Sequence, residues 1–327
     1  TLRLSSAASD VYKRQTITDT VNSEVLAMSG GLGTTSSANV GAYNLTDTSQ
    51  GTLILANGPS GANQGLAANY TLTGGTQDYT ITQRVLNSSG SKTYDANTNA
   101  LAADITLSNL VSGETLNHSG TASISSANAA SYTITNLAGI TLADNAGLAS
   151  NYTLTGGTHN FTVNPKVISL SGSRLYDATT DAVASDLTTI SGLVGSETLN
   201  LSGTGSVTNA NVASNKTVTL GTLALADNSG LAANYTLSGG THQLTINQRP
   251  LAATVARQYD GTKTAAGSDL SSFDALQGGE TLTLSGSGTV GDENVANGQG
   301  ITLGTLALVD GTGLASNYSL NSASLNI

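Results

Sequence analysis

Cysteine and tryptophan are both missing from this chain, and proline occurs only 3 times in 327 residues. Without cysteine, neither a disulfide framework nor a thiolate metal site can form. Basic residues are also scarce: Lys+Arg total 11 against 21 Asp+Glu, for a net charge of −10. Binding nucleic acid takes clustered Lys and Arg to neutralise phosphates, and attraction to anionic lipid takes the same. Neither partner is expected here. No run of about 18 apolar residues occurs, so no membrane insertion is expected in this segment. Aromatics are only 4 %, too few for a thick helical core.

Glycine is abundant, at 38 residues, and Thr, Ser, Asn and Ala fill much of the rest. This is a composition of short, polar-faced strands joined by many turns. Apolar residues alternate with polar ones in "YTITQRVL" (79–86) and "KTVTLGTLAL" (216–225), which is strand periodicity.

Internal repetition is the strongest signal. "NYTLTGG" (69–75 and 151–157), "NYTLSGG" (234–240) and "NYSLNSA" (317–323) recur every 82 or 83 residues. "GETL" (113–116), "SETL" (196–199) and "GETL" (279–282) keep the same step, as do "KTYDAN" (92–97), "RLYDAT" (174–179) and "RQYDGT" (257–262). Three units follow, at 84–165, 166–248 and 249–327, the last read as a C-terminal cap. Residues 16–83 form a partial fourth unit, in which Glu24 takes the place of Glu197 and "SSANVGAYN" (36–44) echoes "TNANVASNK" (208–216). Its Tyr-Asp part falls where "SSAASDVYKRQ" (5–15) stands. That stretch resembles a translated transposon-end sequencing adapter, so 1–15 is set aside as non-native.

Each unit reads as all-β, a small β-sandwich that is Ig-like or β-grasp-like. "YTLSGGTHQLTI" reads as a hairpin around Gly-Gly, and the β-grasp alternative places one short helix at 182–190. Units of this size hold their own cores and line up end to end.

Acids recur in register at Asp95/Asp177/Asp260, Asp104/Asp186/Asp269, Glu114/Glu197/Glu280 and Asp144/Asp227/Asp310. Bases recur at Arg84/Lys166/Arg249 and Lys92/Arg174/Arg257. Opposite charges at fixed sites can pair. Tyr94, Tyr176 and Tyr259 read as structural corners, with the hydroxyl on a backbone carbonyl, and the following Asp caps the turn two residues on. A carboxylate–phenol active site would need a second titratable group near each copy, and none recurs close by in sequence. Asp144, Asp227 and Asp310 are turn caps or, alternatively, Ca²⁺ ligands, the one cofactor considered; a single recurring Asp falls short of the 6–8 oxygens that Ca²⁺ takes. His118, His159 and His242 read as surface residues. Asn69, Asn151, Asn234 and Asn317 also fit the Asn-x-Ser/Thr pattern, and a turn role for them outweighs glycosylation. No enzymatic activity is expected.

A base, "YDG-T", "GE-x-L" and "L-x-D-N-x-G-L-A-x-NYT" in this order resemble the YDG-type repeat of large bacterial surface proteins of the filamentous haemagglutinin type. Tyr259-Asp260-Gly261 spells the motif in full; the other two copies have Ala for Gly. The resemblance implies an adhesin, secreted or on the outer surface of a Gram-negative bacterium. Adhesion to a host or abiotic surface goes with it, and Ile327, if a true end with no membrane barrel after it, favours a separate secretion pore as partner (two-partner secretion) over a self-anchoring autotransporter. Two roles remain open: an inert stalk, or a module that binds a glycan or matrix protein.

Overall fold

The computed structural model describes residues 17, 20–30, 35–45, 53–72, 77–134, 136–254, 256–270, 272–296 and 298–327. The adapter-like segment lies outside them. The described residues form strands broken by single turns of 3₁₀ helix. Thr, Val, Ile and Tyr fit a pleated, half-buried surface, and the Gly- and Asn-rich joins cannot extend a helix. The candidate helix at 182–190 contains only the three-residue turn Ala184–Asp186. Val183, Thr188, Thr189 and Ile190 are β-branched and lose rotamer freedom in a helix, which favours the strand Thr189–Ser191 instead.

Two compact units are present: residues 1–89, 101–122 and 135–160 in one, and residues 90–100, 123–134 and 161–327 in the other. The second unit holds two whole repeats. In the repeat at 166–248, one sheet runs Thr189–Ser191, Ser169–Leu175, His242–Asn247, Ala213–Thr217. Its centre is a parallel pair of the first long strand and the last, Leu170 opposite His242 through Leu175 opposite Asn247. Antiparallel pairs Asp181–Val183 with Thr204–Ser206 and Asn200–Ser202 with Ala224–Ala226 complete it. The repeat at 249–327 shows how the layers close. Ala253 and Leu325 from its parallel sheet meet Ala265, Val290 and Ile301 from its antiparallel sheet, with Leu270 and Leu306, in one core. Two sheets across one core are a small sandwich.

The Gly-Gly hairpin does not form. Tyr235–Thr236 runs parallel to Lys166–Val167, and His242–Asn247 continues parallel to Ser169–Leu175. Both halves therefore add to the same neighbouring segment, and the extra residues between them bulge out. Gly240 lies at the crossing: a Cβ there would sit 2.0 Å from the Ile168 carbonyl oxygen. Gly240 thus permits a close backbone approach, while Gly239 has open space around it and a left-handed φ of +85°.

In the first unit, Leu26–Gly30 pairs antiparallel with Leu53–Asn57, and Gly41–Leu45 with Gln77–Ile81. Leu86, Leu116 and Tyr152 form its core cluster, with Leu107, Leu110, Leu142 and Leu154 packed on it.

Candidate functional site

The recurring Tyr-Asp begins with a tight turn. Asp177 Oδ1 accepts from the Thr179 amide at 2.9 Å and from its hydroxyl at 2.9 Å. Asp260 does the same with Thr262, at 2.9 and 3.0 Å. Asp95 accepts from the Asn97 amide at 3.1 Å and from its side chain at 2.7 Å. The turn capping expected from sequence is therefore present in all three copies. The residue after each Asp is left-handed: φ is +63° at Ala96, +63° at Ala178 and +71° at Gly261. That is the physical need behind a glycine at this place.

The preceding base closes the turn. Lys92 Nζ donates to the Asn97 carbonyl at 2.7 Å, Arg174 Nη2 to Thr179 at 2.7 Å and Arg257 Nη2 to Thr262 at 2.5 Å. Each base also pairs with its Asp: Lys92 with Asp95 at 2.8 Å, Arg257 with Asp260 at 3.2 Å, and Arg174 with Asp177. Burial works to raise the Asp95 and Asp177 carboxyls, but the bonds from the turn and the adjacent cation outweigh it and hold both below the usual range. The Thr262 amide, first, and Arg257 hold Asp260 low as well. Arg84 and Arg249 find amide and carbonyl oxygens: Arg84 bonds Asn109 Oδ1 at 2.8 Å, and Arg249 bonds the Tyr176 carbonyl at 3.3 Å.

The turn aims its tyrosine at the next repeat. Tyr94 is 5 % exposed and Tyr176 is 3 % exposed. The Tyr94 hydroxyl donates to Glu197 Oε1 at 2.6 Å, and that of Tyr176 to Glu280 Oε1 at 2.5 Å. The second carboxylate oxygen, Oε2, takes the tyrosine of the "NYT" segment: Tyr235 onto Glu197 at 2.6 Å and Tyr318 onto Glu280 at 2.6 Å. The two rings meet edge to face, Tyr94 with Tyr235 at 5.4 Å between centroids and Tyr176 with Tyr318 at 5.3 Å. Tyr235 and Tyr318 in turn accept from the Val194 and Gln277 amides at 3.0 Å each.

The corner reading is thereby corrected, because these hydroxyls reach a carboxylate in the following repeat and not a carbonyl in their own. Bonds of the corner type belong to other tyrosines, Tyr43 onto the Asn39 carbonyl and Tyr132 onto that of Asn128, both at 2.6 Å. The second titratable group that sequence proximity did not offer is supplied by Glu197 or Glu280, more than a hundred residues on. Within the first unit the inner half of the arrangement recurs, with Tyr152 donating to Glu114 Oε2 and Tyr70 to Glu24 Oε2 at 2.8 Å.

The glycine of "D-N-x-G" makes room for this glutamate. A Cβ on Gly230 would lie 2.7 Å from Glu197 Oε2 and 3.1 Å from its Cβ; Gly147 and Gly313 stand against Glu114 and Glu280 alike. An asparagine completes the joint. Asn234 Oδ1 accepts from the Ala129 amide at 2.7 Å, and its Nδ2 donates to Asn128 Oδ1 at 3.0 Å. Asn317 does so with Val212 at 2.9 Å and Asn211 at 3.1 Å. In the first unit, Asn151 does so with Val40 at 2.8 Å and Asn39 at 2.9 Å. Asn151, Asn234 and Asn317 stand in turns, as the sequence suggested, but their hooks onto Asn39, Asn128 and Asn211 were not read there. Their one signal was recurrence in register. Asn234 and Asn317 are 1 % exposed, so neither presents its amide to a glycosylating enzyme.

Burial, first, and then the glutamate's bond and charge push the phenols up. Tyr94 and Tyr318 reach about 12, and Tyr176, Tyr235 and Tyr152 move in the same direction. A phenol that keeps its proton is a donor. One that acted as base or nucleophile would need the opposite shift. The geometry joins a carboxylate to two neutral phenols across a repeat boundary.

Asp144, Asp227 and Asp310 each spend one oxygen on a turn, capping the Ala149, Ala232 and Ala315 amides at 2.7, 2.7 and 2.6 Å. Among the described residues no three His, Cys, Asp or Glu side chains gather as a metal site requires. His159 and His242 are buried, contrary to the surface reading. The His242 ring accepts from the Leu170 amide through Nδ1 at 3.2 Å, which leaves Nε2 to donate to the Leu237 carbonyl at 2.8 Å. No helix among the described residues is long and apolar enough to cross a membrane.

No curated protein and no solved structure matches the chain. Residues 79–160, 160–243 and 240–325 each match the YDG domain. The chain therefore belongs to the YDG domain family and carries it as three tandem copies.

Proposed function

We propose that these repeats are a structural stalk of a large secreted or cell-surface adhesin of the filamentous haemagglutinin type, exported by a Gram-negative bacterium through a separate pore, and that they carry no enzymatic activity. One observation carries this reading: at both joints of the second unit the recurring Tyr, Glu and Asn side chains are consumed by the neighbouring repeat. Residues kept for a ligand would face solvent; these hold domains together. The resemblance to surface adhesins and the cysteine-free, acidic composition support export of an unfolded chain that folds outside.

A ligand-binding module is the second reading. One leucine of the "G-L-A" loop stands exposed in every copy, Leu66, Leu148, Leu231 and Leu314. One such side chain in each copy offers repeated contact points for a glycan or matrix protein. The full chain displayed densely on beads separates the two. A stalk gives no saturable capture on mucin, fibronectin or a glycan array. Saturable capture, competed by free ligand and lost when the four leucines are changed to serine, overturns the stalk reading.

A further inference from the structure

Tension on a chain of repeats enters each one at its first strand and leaves at its last. In the repeat at 166–248 those two strands are partners. Ser169–Leu175 pairs parallel with His242–Asn247, Leu170 opposite His242 through Leu175 opposite Asn247. Parallel strands point the same way, so the entry at Ser169 and the exit at Asn247 lie at opposite ends of the pair. Pulling on both slides one strand along the other, and the evenly spaced bonds of the ladder are loaded together. Lys166–Val167 opposite Tyr235–Thr236, and the Ile168 amide on the Thr236 carbonyl at 3.0 Å, extend the parallel contact toward the entry. The other strands of the repeat lie outside this path while the pair holds.

Its surroundings strengthen the pair against slip. It is the centre of a four-stranded sheet, with Thr189–Ser191 on one side and Ala213–Thr217 on the other, so each strand has a second partner. Leu170, Leu244 and Ile246 are fully buried, and hydrogen bonds over a dry core are stronger than bonds open to water. At the exit the Tyr176 amide donates to the Asn247 carbonyl at 2.9 Å, and its hydroxyl holds Glu280 of the following repeat. Only Gln248 separates Asn247 from Arg249, where the next strand begins. A slip that draws Asn247 away carries the following repeat with it, and so has to break the Tyr176–Glu280 bond as well. The repeat at 249–327 keeps the pattern, with Arg249–Leu251 parallel to Tyr318–Leu320 and Ala253–Thr254 parallel to Leu325–Asn326.

We infer that the parallel pair of first and last strands is a shear clamp, through which a repeat bears tension along the chain without opening. An antiparallel pair of terminal strands would put entry and exit at the same end, and its bonds would open one after another. The inference deepens the stalk reading, because a stalk that tethers a cell transmits every pull on that cell. It rests on that reading for its use, and on the strand pairing alone for its mechanics.

The test is single-molecule force spectroscopy of the full chain. It has no cysteine of its own, so handles attach only where a thiol is introduced. Val167→Cys with Asn247→Cys loads the repeat along the pair. Leu175→Cys with Asn247→Cys loads the same pair across its exit end and peels it. All three residues are exposed. Opening of this repeat is recognised by its released length, roughly 280 Å in the first variant and roughly 250 Å in the second, at ~3.5 Å per residue between the handles. The expected rupture force is at least about threefold higher along the pair than across it, since the whole ladder shares the load in one case and its outermost bond bears it in the other. Without load, the urea midpoints of the two variants should agree. Equal forces in the two directions overturn the inference. So does a peeled variant whose midpoint falls in step with its force, because stability and not direction would then set the force. Either failure leaves the stalk reading in place, since that reading is judged by capture on ligand surfaces.

Discussion

Ala96, Ala178 and Gly261 occupy one corner of the repeat in a left-handed conformation. An alanine there bears a steric cost of about 1–2 kcal/mol from its Cβ. Glycine removes that cost but gives the unfolded chain more freedom, returning about 0.4–1 kcal/mol. The balance favours glycine. Ala178→Gly should stabilise the protein by about 0.5–1 kcal/mol, and Gly261→Ala should destabilise it by a similar amount. Space does not decide the matter at Gly261, because the nearest atom to an added Cβ is Tyr259 Oη at 3.8 Å. Urea midpoints of the two variants check this. Shifts of the same sign in both would refute a backbone origin. At the same scale, Asp177 shows why a turn is easily read from sequence. Its partners, Thr179 and Arg174, lie within three residues, and local partners need no fold to find each other.

At the scale of the element, Gly230 decides whether Glu197 reaches its two tyrosines. A Cβ at Gly230 would press on both ends of the glutamate side chain, 3.1 Å from Cβ and 2.7 Å from Oε2. Gly230→Ala should therefore cost about 1–3 kcal/mol, the range for an overpacked site. Gly291→Ala, where an added Cβ meets nothing within 4 Å, is the control and should change little. Equal losses in both variants, read by denaturant melts, would refute the steric account. The joint also shows where sequence reading stops. Tyr94 and Glu197 both stand out as recurring residues, yet reading each unit as a self-contained fold pairs Tyr94 with neighbours in its own repeat. The contact lies 103 residues away, across a boundary. Gly239-Gly240 misleads for a related reason. A two-glycine join is a strong local hairpin signal, but the adjoining strand Ser169–Leu175 is a better partner for His242–Asn247 than Tyr235–Thr236 is. The alternation, the strands and the repeat length are local or periodic properties, and these are legible. The parallel closure of first strand on last is a property of the whole repeat, and is not.

For the whole molecule, the joints make stability a matter of pH at the alkaline end. An array of repeats is held by its domains and by the contacts between neighbours. Each joint of the second unit contains two phenols that stay protonated because burial and a carboxylate oppose ionisation. Burial and the glutamate push Tyr94 and Tyr318 up to about 12 in the folded chain, against about 10 for a free tyrosine. Below pH 10 both states hold the proton, and the joints contribute in full. Above 10 the unfolded chain loses protons that the folded chain keeps, so the balance moves toward unfolding until the folded phenols ionise too. The urea midpoint should stay level from neutral pH to just below 10 and then fall steeply toward 12. Replacing Tyr94 and Tyr176 with Phe should lower the midpoint at pH 8, because each change removes a charge-assisted bond worth about 1.5–3 kcal/mol. It should also flatten the alkaline fall, since two of the titrating groups are gone. A double variant that is weaker at pH 8 but falls as steeply as wild type would place the alkaline sensitivity elsewhere, with the glutamate–tyrosine joints acting through packing alone.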